Sequence, residues 1–107
     1  MAICRIIETG ATPEQYEQVR SQLGVEESPP PGGLIHIAAR GEDGTIRIIE
    51  VWETREHAEE WGEKVRATRQ ELGLVGATPP QITFLEVQRV MTVGARPIEA
   101  VGTQTAG

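Results

Sequence analysis

The chain has 107 residues, of which 38% are hydrophobic, and its formal net charge is −6 at pH 7. This length predicts one domain with a single core, and the acidic charge with scattered basic residues argues against nucleic acid and anionic membranes as partners. No apolar run approaches the roughly 20 residues of a membrane helix. The first ten residues also lack the basic start and apolar stretch of a signal peptide.

The chain contains a single cysteine, Cys4. One thiol permits neither an internal disulfide nor a cysteine-based metal site. We therefore expect a reducing, cytoplasmic setting, no metal, and a Cys4 side chain that behaves as a small buried hydrophobe.

The first half of the chain predicts a strand, a helix and a second strand. Residues 3–8 are rich in isoleucine and form the first strand. Thr12 followed by Gln15 is typical of a capped helix start, and Gly24 marks the helix end. A proline-rich connector then leads to a second strand over residues 34–40. The apolar stripe of the helix consists of Tyr16, Val19 and Leu23.

The second half repeats this order. A strand over residues 46–52 carries apolar side chains on both faces, Thr54 is a suitable N-cap, and Gly73 is placed as the residue after the helix. The last strand is predicted over residues 81–91, and residues 92–107 have no usable periodicity. The apolar stripe of the second helix, expected to belong to the core, consists of Ala58, Trp61, Val65 and Leu72.

Two such halves predict the ferredoxin-like α+β fold, βαββαβ, in which two helices cover one face of a four-stranded antiparallel sheet. We place this domain at residues 1–91 and treat residues 92–107 as a tail that is flexible or wraps a partner. Because the strands carry apolar residues on both sides, the second face needs a cover. The sequence therefore predicts a homodimer, sheet packed on sheet, that forms an α+β barrel.

The segment EVWET at residues 50–54, followed by EHA at 56–58, resembles the strand end and acidic helix start of the dimeric α+β barrel superfamily, more narrowly its antibiotic-biosynthesis-monooxygenase-like branch. The resemblance in layout extends over about residues 2–91. It implies a pocket between sheet and helices or within the barrel. Members of this branch and its relatives include cofactor-independent oxygenases of aromatic polyketides and quinols, haem-degrading enzymes and proteins without a known reaction.

The chain departs from this family pattern in two respects. The oxygenases commonly use an asparagine together with the tryptophan, and this chain contains no asparagine, so only the tryptophan is carried over, onto Trp52. The haem-degrading members use a helical histidine. His57 lies in the first helical turn and is not matched to it. The only tyrosine, Tyr16, falls on the first helix.

The hairpin between the second and third strands fixes the candidate site. A three-residue loop over residues 42–44, with its last glycine in the left-handed conformation, places His36 opposite Glu50 and Leu34 opposite Trp52. Opposed side chains point to the same side of a sheet, so His36 and Glu50 would come within hydrogen-bonding reach. A two-residue loop would shift the register by one and separate the pair.

From this arrangement we predict a proton-transferring site. His36 is the candidate general acid or base and Glu50 the carboxylate that orients it. Trp52, Leu34 and Ile48 are the candidate substrate-binding residues, facing an apolar, aromatic or polyketide-like molecule. The reaction is oxygenation, isomerisation or cyclisation without a tightly bound cofactor.

A different class of function uses the same residues. A strand histidine beside a strand glutamate is also typical of a satisfied buried polar pair, and the chain would then be a non-catalytic ligand-binding or assembly dimer. Haem binding is a third interpretation.

Three arginines are expected within strands. For each of them we prefer an ion pair across the sheet to the binding of an anionic ligand group. These arginines are Arg5, Arg47 and Arg89, and their candidate partners are Glu8, Glu50 and Glu86.

Overall fold

The computed structural model of the chain describes residues 1–74, 76 and 79–94. Its four strands form one antiparallel sheet in the order β2-β3-β1-β4, which confirms the predicted ferredoxin-like α+β fold. None of the helices in the described ranges is long and apolar enough to cross a membrane. The elements are β1 (Ile3–Glu8), α1 (Pro13–Leu23), β2 (Gly33–Arg40), β3 (Ile46–Trp52), α2 (Arg55–Glu71) and β4 (Gln81–Glu86).

Both helices begin where the sequence predicts. The hydroxyl of Thr12 accepts a hydrogen bond from the backbone N–H of Gln15, and the Gln15 side chain accepts one from the N–H of Thr12, which completes a capping box. Gly24 ends α1 in the left-handed conformation, with φ 63°. Thr54 caps α2 by accepting from the N–H of His57 at 3.1 Å. Short-range signals therefore set the position of each helix along the chain.

The hairpin adopts the three-residue loop. Gly44 has φ 83°, and the Asp43 carboxylate accepts a hydrogen bond from the N–H of Thr45 at 3.0 Å. His36 consequently lies opposite Glu50 in the β2–β3 register, as predicted.

The predicted pairing of Leu34 with Trp52 is wrong. The register shifts between Gly33 and Ile35, so Gly33 lies opposite Trp52 and Leu34 falls in a β-bulge. A bulge places two residues of one strand against one of its partner. The sequence-based register assumed an uninterrupted ladder beyond His36 and therefore missed this shift.

Strand β4 is shorter than predicted and ends at Glu86 rather than at residue 91. Its only partner in the described part of the sheet is β1, in which Ile3 lies opposite Glu86. One further bond, from the N–H of Val87 to the carbonyl of Ala2, closes the ladder. Residues 87–94 belong to no regular element. The predicted tail at 92–107 lies outside the described residues from position 95 onward.

Opposed residues form a row that crosses all four strands: His36 on β2, Glu50 on β3, Arg5 on β1 and Phe84 on β4. Members of such a row point to one side of the sheet. All four line the space between the sheet and the helices. The row therefore brings ionisable side chains from three strands to the helix side.

The other side of the sheet is apolar, and large side chains on its two edge strands are exposed among the described residues. Ile37 on β2 is 45% exposed, and Leu85 on β4 is 51% exposed. Cys4 lies between them on β1, opposite Val51 and Leu85, and its side chain is only half-buried. This surface, which we call the open face, points away from the helices.

Candidate functional site

A cavity of about 990 Å³ lies between the sheet and the two helices. All four phenylalanine, tyrosine and tryptophan residues of the chain line it. The predicted substrate-binding residues Leu34, Ile48 and Trp52 line it as well. Trp61, predicted as core, is half-buried against Trp52, with ring centroids 6.5 Å apart. The aromatic residues are Tyr16, Trp52, Trp61 and Phe84.

Glu50 is the centre of a buried hydrogen-bond network on this wall. Its side chain is 5% exposed. Oε1 accepts hydrogen bonds from Arg5 Nε at 3.0 Å, Arg5 Nη2 at 2.7 Å and Trp52 Nε1 at 3.1 Å. Oε2 lies 3.1 Å from Nδ1 of His36. The structure thus brings together the predicted pair and adds two donors to it.

The partners of Glu50 keep it ionised. Burial alone would raise the pKa of Glu50, because it favours the neutral acid. The hydrogen bond from His36, the charge of Arg5 and the bonds from Arg5 and Trp52 outweigh burial. The pKa of Glu50 therefore lies below its ordinary value. A carboxylate accepts hydrogen bonds and donates none. The proton between His36 and Glu50 therefore resides on Nδ1 of the imidazole.

This tautomer leaves Nε2 of neutral His36 as an acceptor. The hydroxyl of Tyr16 lies 2.6 Å from Nε2 and donates to it. The two rings are stacked, with centroids 5.9 Å apart and planes inclined by 18°. Both ring nitrogens of His36 are thus engaged, and a Tyr16–His36–Glu50 chain runs from α1 into the sheet.

Tyr16 remains a neutral phenol in this setting. Burial raises its pKa above 10.0 and outweighs the opposing effect of Arg20. The side chain is half-buried and lines the cavity. Its O–H donates to His36, and the lone pairs of its oxygen can accept a hydrogen bond.

Arg5 ties the site to α2. Its Nη1 donates to the carbonyl oxygen of Ala58 at 2.6 Å, while Nε and Nη2 bind Glu50. The guanidinium also lies over the ring of Trp52, 5.6 Å from the centroid. The predicted pairing of Arg5 across the sheet is therefore confirmed.

The other arginines give a mixed result. Arg47 pairs with Glu8 at 3.6 Å, as predicted, and also with Asp43 at 2.9 Å. Arg89 lies beyond the end of β4, so its placement within a strand is wrong.

The remaining candidate groups are not part of the site. His57 is not among the lining residues, and its ring hydrogen-bonds the hydroxyl of Thr54 at 2.7 Å. Cys4 is on the open face, on the opposite side of the sheet from Arg5. Within the described ranges, no cluster of His, Cys, Asp or Glu side chains is arranged to hold a metal ion.

Sequence reasoning missed two features of the site. The first is the participation of Tyr16, and the second is the bond from Arg5 to the backbone of α2. Tyr16 stood out as the only tyrosine, but its contact with His36 depends on how α1 lies over the sheet. Arg5 was recognised as a pairing residue without a choice among its possible partners. That choice required the register between β1 and β3, two strands that no short turn connects.

No family model matches the sequence, and no curated protein matches it. Solved structures do share its fold. A protein from Caulobacter crescentus CB15, assigned as an antibiotic biosynthesis monooxygenase, is 19% identical with a TM-score of 0.63, covering 82% of this chain and 91% of that one.

Two further structures come from Streptomyces. The monooxygenase from the gene ActVA-Orf6 of Streptomyces coelicolor, in complex with nanaomycin D, is 18% identical with a TM-score of 0.54, covering 87% of this chain and 92% of that one. SnoaB, a cofactor-independent oxygenase from Streptomyces nogalater, is 13% identical with a TM-score of 0.54, covering 84% of this chain and 94% of that one. At these identities the similarity shows the fold, and the predicted resemblance in fold to antibiotic-biosynthesis-monooxygenase-like proteins is confirmed.

Proposed function

We propose that the protein is a cofactor-independent enzyme that deprotonates an activated phenol or enol of an aromatic, polyketide-like substrate and directs its oxygenation. One observation carries the proposal: His36, hydrogen-bonded to the ionised Glu50, lines a large cavity whose walls are mostly apolar. A base with a fixed tautomer beside an apolar pocket is the arrangement that proton abstraction from an apolar substrate requires.

The proposed reaction uses dioxygen as the oxidant. The substrate loses its hydroxyl proton to the site, and the resulting anion passes electrons to dioxygen. A carbon–oxygen bond forms, and the site returns the proton to the peroxide oxygen to give a hydroperoxide. Loss of water then leaves a new carbonyl, with one oxygen atom in the product and the other in water. The protein supplies the base and orients the ring.

Apolar and aromatic residues support this substrate class. Trp52, Leu34 and Ile48 form part of the wall, and Trp61 extends the aromatic surface from α2. Flat rings stack on such surfaces with a favourable free energy of about 0.5–1.5 kcal/mol for each aromatic pair. The described oxygenase SnoaB and the nanaomycin D complex of the ActVA-Orf6 protein support the same chemistry for this fold.

Oxygen uptake with anthrone, whose enol tautomer has a phenolic hydroxyl, tests the proposal. Wild-type protein is expected to accelerate uptake, and His36→Gln to lower the rate by roughly 10²-fold or more, in the range of general acid–base catalysis. His57→Gln is the matched control because His57 lies outside the cavity lining. Unaccelerated uptake with the wild type, in a folded protein that nevertheless binds the ligand, would favour a non-catalytic binding dimer.

We further propose that a second copy of the chain covers the open face and forms the barrel. Ile37 and Leu85 are about half exposed there, and an apolar surface of this kind is unfavourable in water. A two-fold dimer would bury both copies of the face at once. A cytoplasmic setting, inferred from the single cysteine, belongs to the same proposal.

A further inference from the structure

We propose that Tyr16, and not His36, is the catalytic residue that contacts the reacting hydroxyl of the substrate, and that it passes the proton on to His36. This inference rests on the proposed function and identifies the group that first receives the substrate proton. It makes the site a three-residue relay, Tyr16–His36–Glu50, in which only the first member meets the substrate.

The occupancy of the imidazole leads to this assignment. Nδ1 of His36 is bound to Glu50, and Nε2 is bound to Tyr16 at 2.6 Å. A substrate hydroxyl in the cavity therefore finds no free nitrogen on His36. It does find the oxygen of Tyr16, which lines the same cavity and, beside the neighbouring donor Arg20, has two lone pairs with which to accept hydrogen bonds.

The proton balance closes within these groups. The O–H bond of the substrate breaks as a new O–H bond forms on Tyr16, and the original Tyr16 proton moves to Nε2 of His36. The products are a substrate anion, a neutral tyrosine and an imidazolium beside the Glu50 carboxylate. Glu50 is ionised in the resting site, so it can stabilise that positive charge without accepting a proton.

The packing of Tyr16 supports a fixed role. Its ring is nearly parallel to that of His36, with an interplanar angle of 18°, and the hydroxyl bridges the two rings. The neutral phenol is favoured by burial, which keeps its proton available to His36 at neutral pH. The charged groups that act on it are Arg20 and Glu17 on α1 and Glu50 on β3.

The deciding variant is Tyr16→Phe, which keeps the ring and removes the hydroxyl. We expect oxygen uptake with anthrone to fall by roughly 10²-fold or more, comparable to His36→Gln, with kcat affected more than KM. Unchanged or faster uptake would overturn the relay, because it would mean that the substrate hydroxyl takes the place of the Tyr16 hydroxyl on His36. A lack of uptake by the wild type would instead overturn the proposed function itself.

A second measurement needs no turnover. Tyr16 is the only tyrosine, so the near-ultraviolet absorbance of tyrosinate follows this residue alone. In His36→Gln the amide N–H can donate to the tyrosinate, whereas the fixed tautomer of His36 cannot. We expect the titration midpoint to fall in this variant and to stay unchanged in His57→Gln. Equal midpoints in wild type and His36→Gln would overturn the coupling, with circular dichroism showing that both stay folded.

Discussion

Gly62 lies directly against the guanidinium of Arg5. A Cβ atom added at position 62 would stand 2.7 Å from Arg5 Nη1, inside the normal contact distance. The same nitrogen donates to the carbonyl of Ala58, one turn earlier on α2. The missing side chain on the helix is therefore what lets a buried strand arginine reach the helix backbone.

Gly62→Ala is expected to destabilise the protein, against the usual trend for a helix interior. Alanine favours the helix by about 1 kcal/mol, but the displaced Arg5 loses a charged hydrogen bond that contributes about 1.5–3 kcal/mol. The net effect is a loss of roughly 1 kcal/mol, read from urea unfolding. Ala67→Gly, at an exposed position of α2, measures the difference in helix propensity between alanine and glycine alone. A stabilised Gly62→Ala variant would show that Arg5 moves without cost.

Arg5→Met should be among the most destabilising single substitutions. It leaves the Glu50 carboxylate buried with one strong partner fewer, and breaking such a pair costs about 3–5 kcal/mol. The double variant Arg5→Met/Glu50→Gln removes the stranded charge and should recover part of this loss. Additive effects of the two substitutions in a double-mutant cycle would contradict a direct pairing.

Glu50 should make the fold sensitive to acid. Its folded pKa lies below the unfolded value of 4.5, so its contribution to stability is fully present above pH 4.5 and is lost as the pH falls through the lower folded pKa. Glu50→Gln should be much less stable than wild type near pH 7, and the difference should shrink below about pH 4. Glu60→Gln, exposed on α2, is the control and should show no such convergence.

Trp52→Phe should weaken the site as well as the core. The substitution removes the Nε1 donor to Glu50 and part of a side chain that is 2% exposed. We expect a loss of about 2–4 kcal/mol from the charged hydrogen bond and the packing together. Trp61→Phe, at a half-buried position without a bond to Glu50, should cost less. Equal losses in thermal or urea unfolding would argue against a special role for the indole N–H.

The open face should control assembly. Ile37→Lys places a charge on the edge strand β2 within the proposed sheet-on-sheet contact, where an unpaired charge is strongly unfavourable. The expected result is a folded monomer by light scattering, with the wild type a dimer. Gln18→Lys adds the same charge on the exposed side of α1 and should leave the dimer intact. A monomeric wild type would overturn the dimer outright.

Local chemistry made much of the fold predictable. The capping residues Thr12 and Thr54 set the helix starts, and the loop ending at Gly44 set the register that joins His36 to Glu50. Each of these features is decided within a few residues. For that reason one sequence, without relatives, was enough to locate them.

Features that depend on distant parts of the chain were not predictable in this way. The end of β4 is set by the length of β1, and the displacement of Leu34 is set by a bulge against β3. The contact of Tyr16 with His36 depends on how α1 packs over the sheet. The bond between Tyr16 and His36 was therefore beyond any pattern in the sequence.

The placement of the aromatic side chains has a practical consequence. Tyr16, Phe84, Trp52 and Trp61 all line one cavity, and the chain has no other phenylalanine, tyrosine or tryptophan. Near-ultraviolet circular dichroism and intrinsic fluorescence therefore originate almost entirely from its walls. The protein carries its own optical probe of occupancy, so candidate ligands can be screened on unlabelled wild-type protein before any reaction is known.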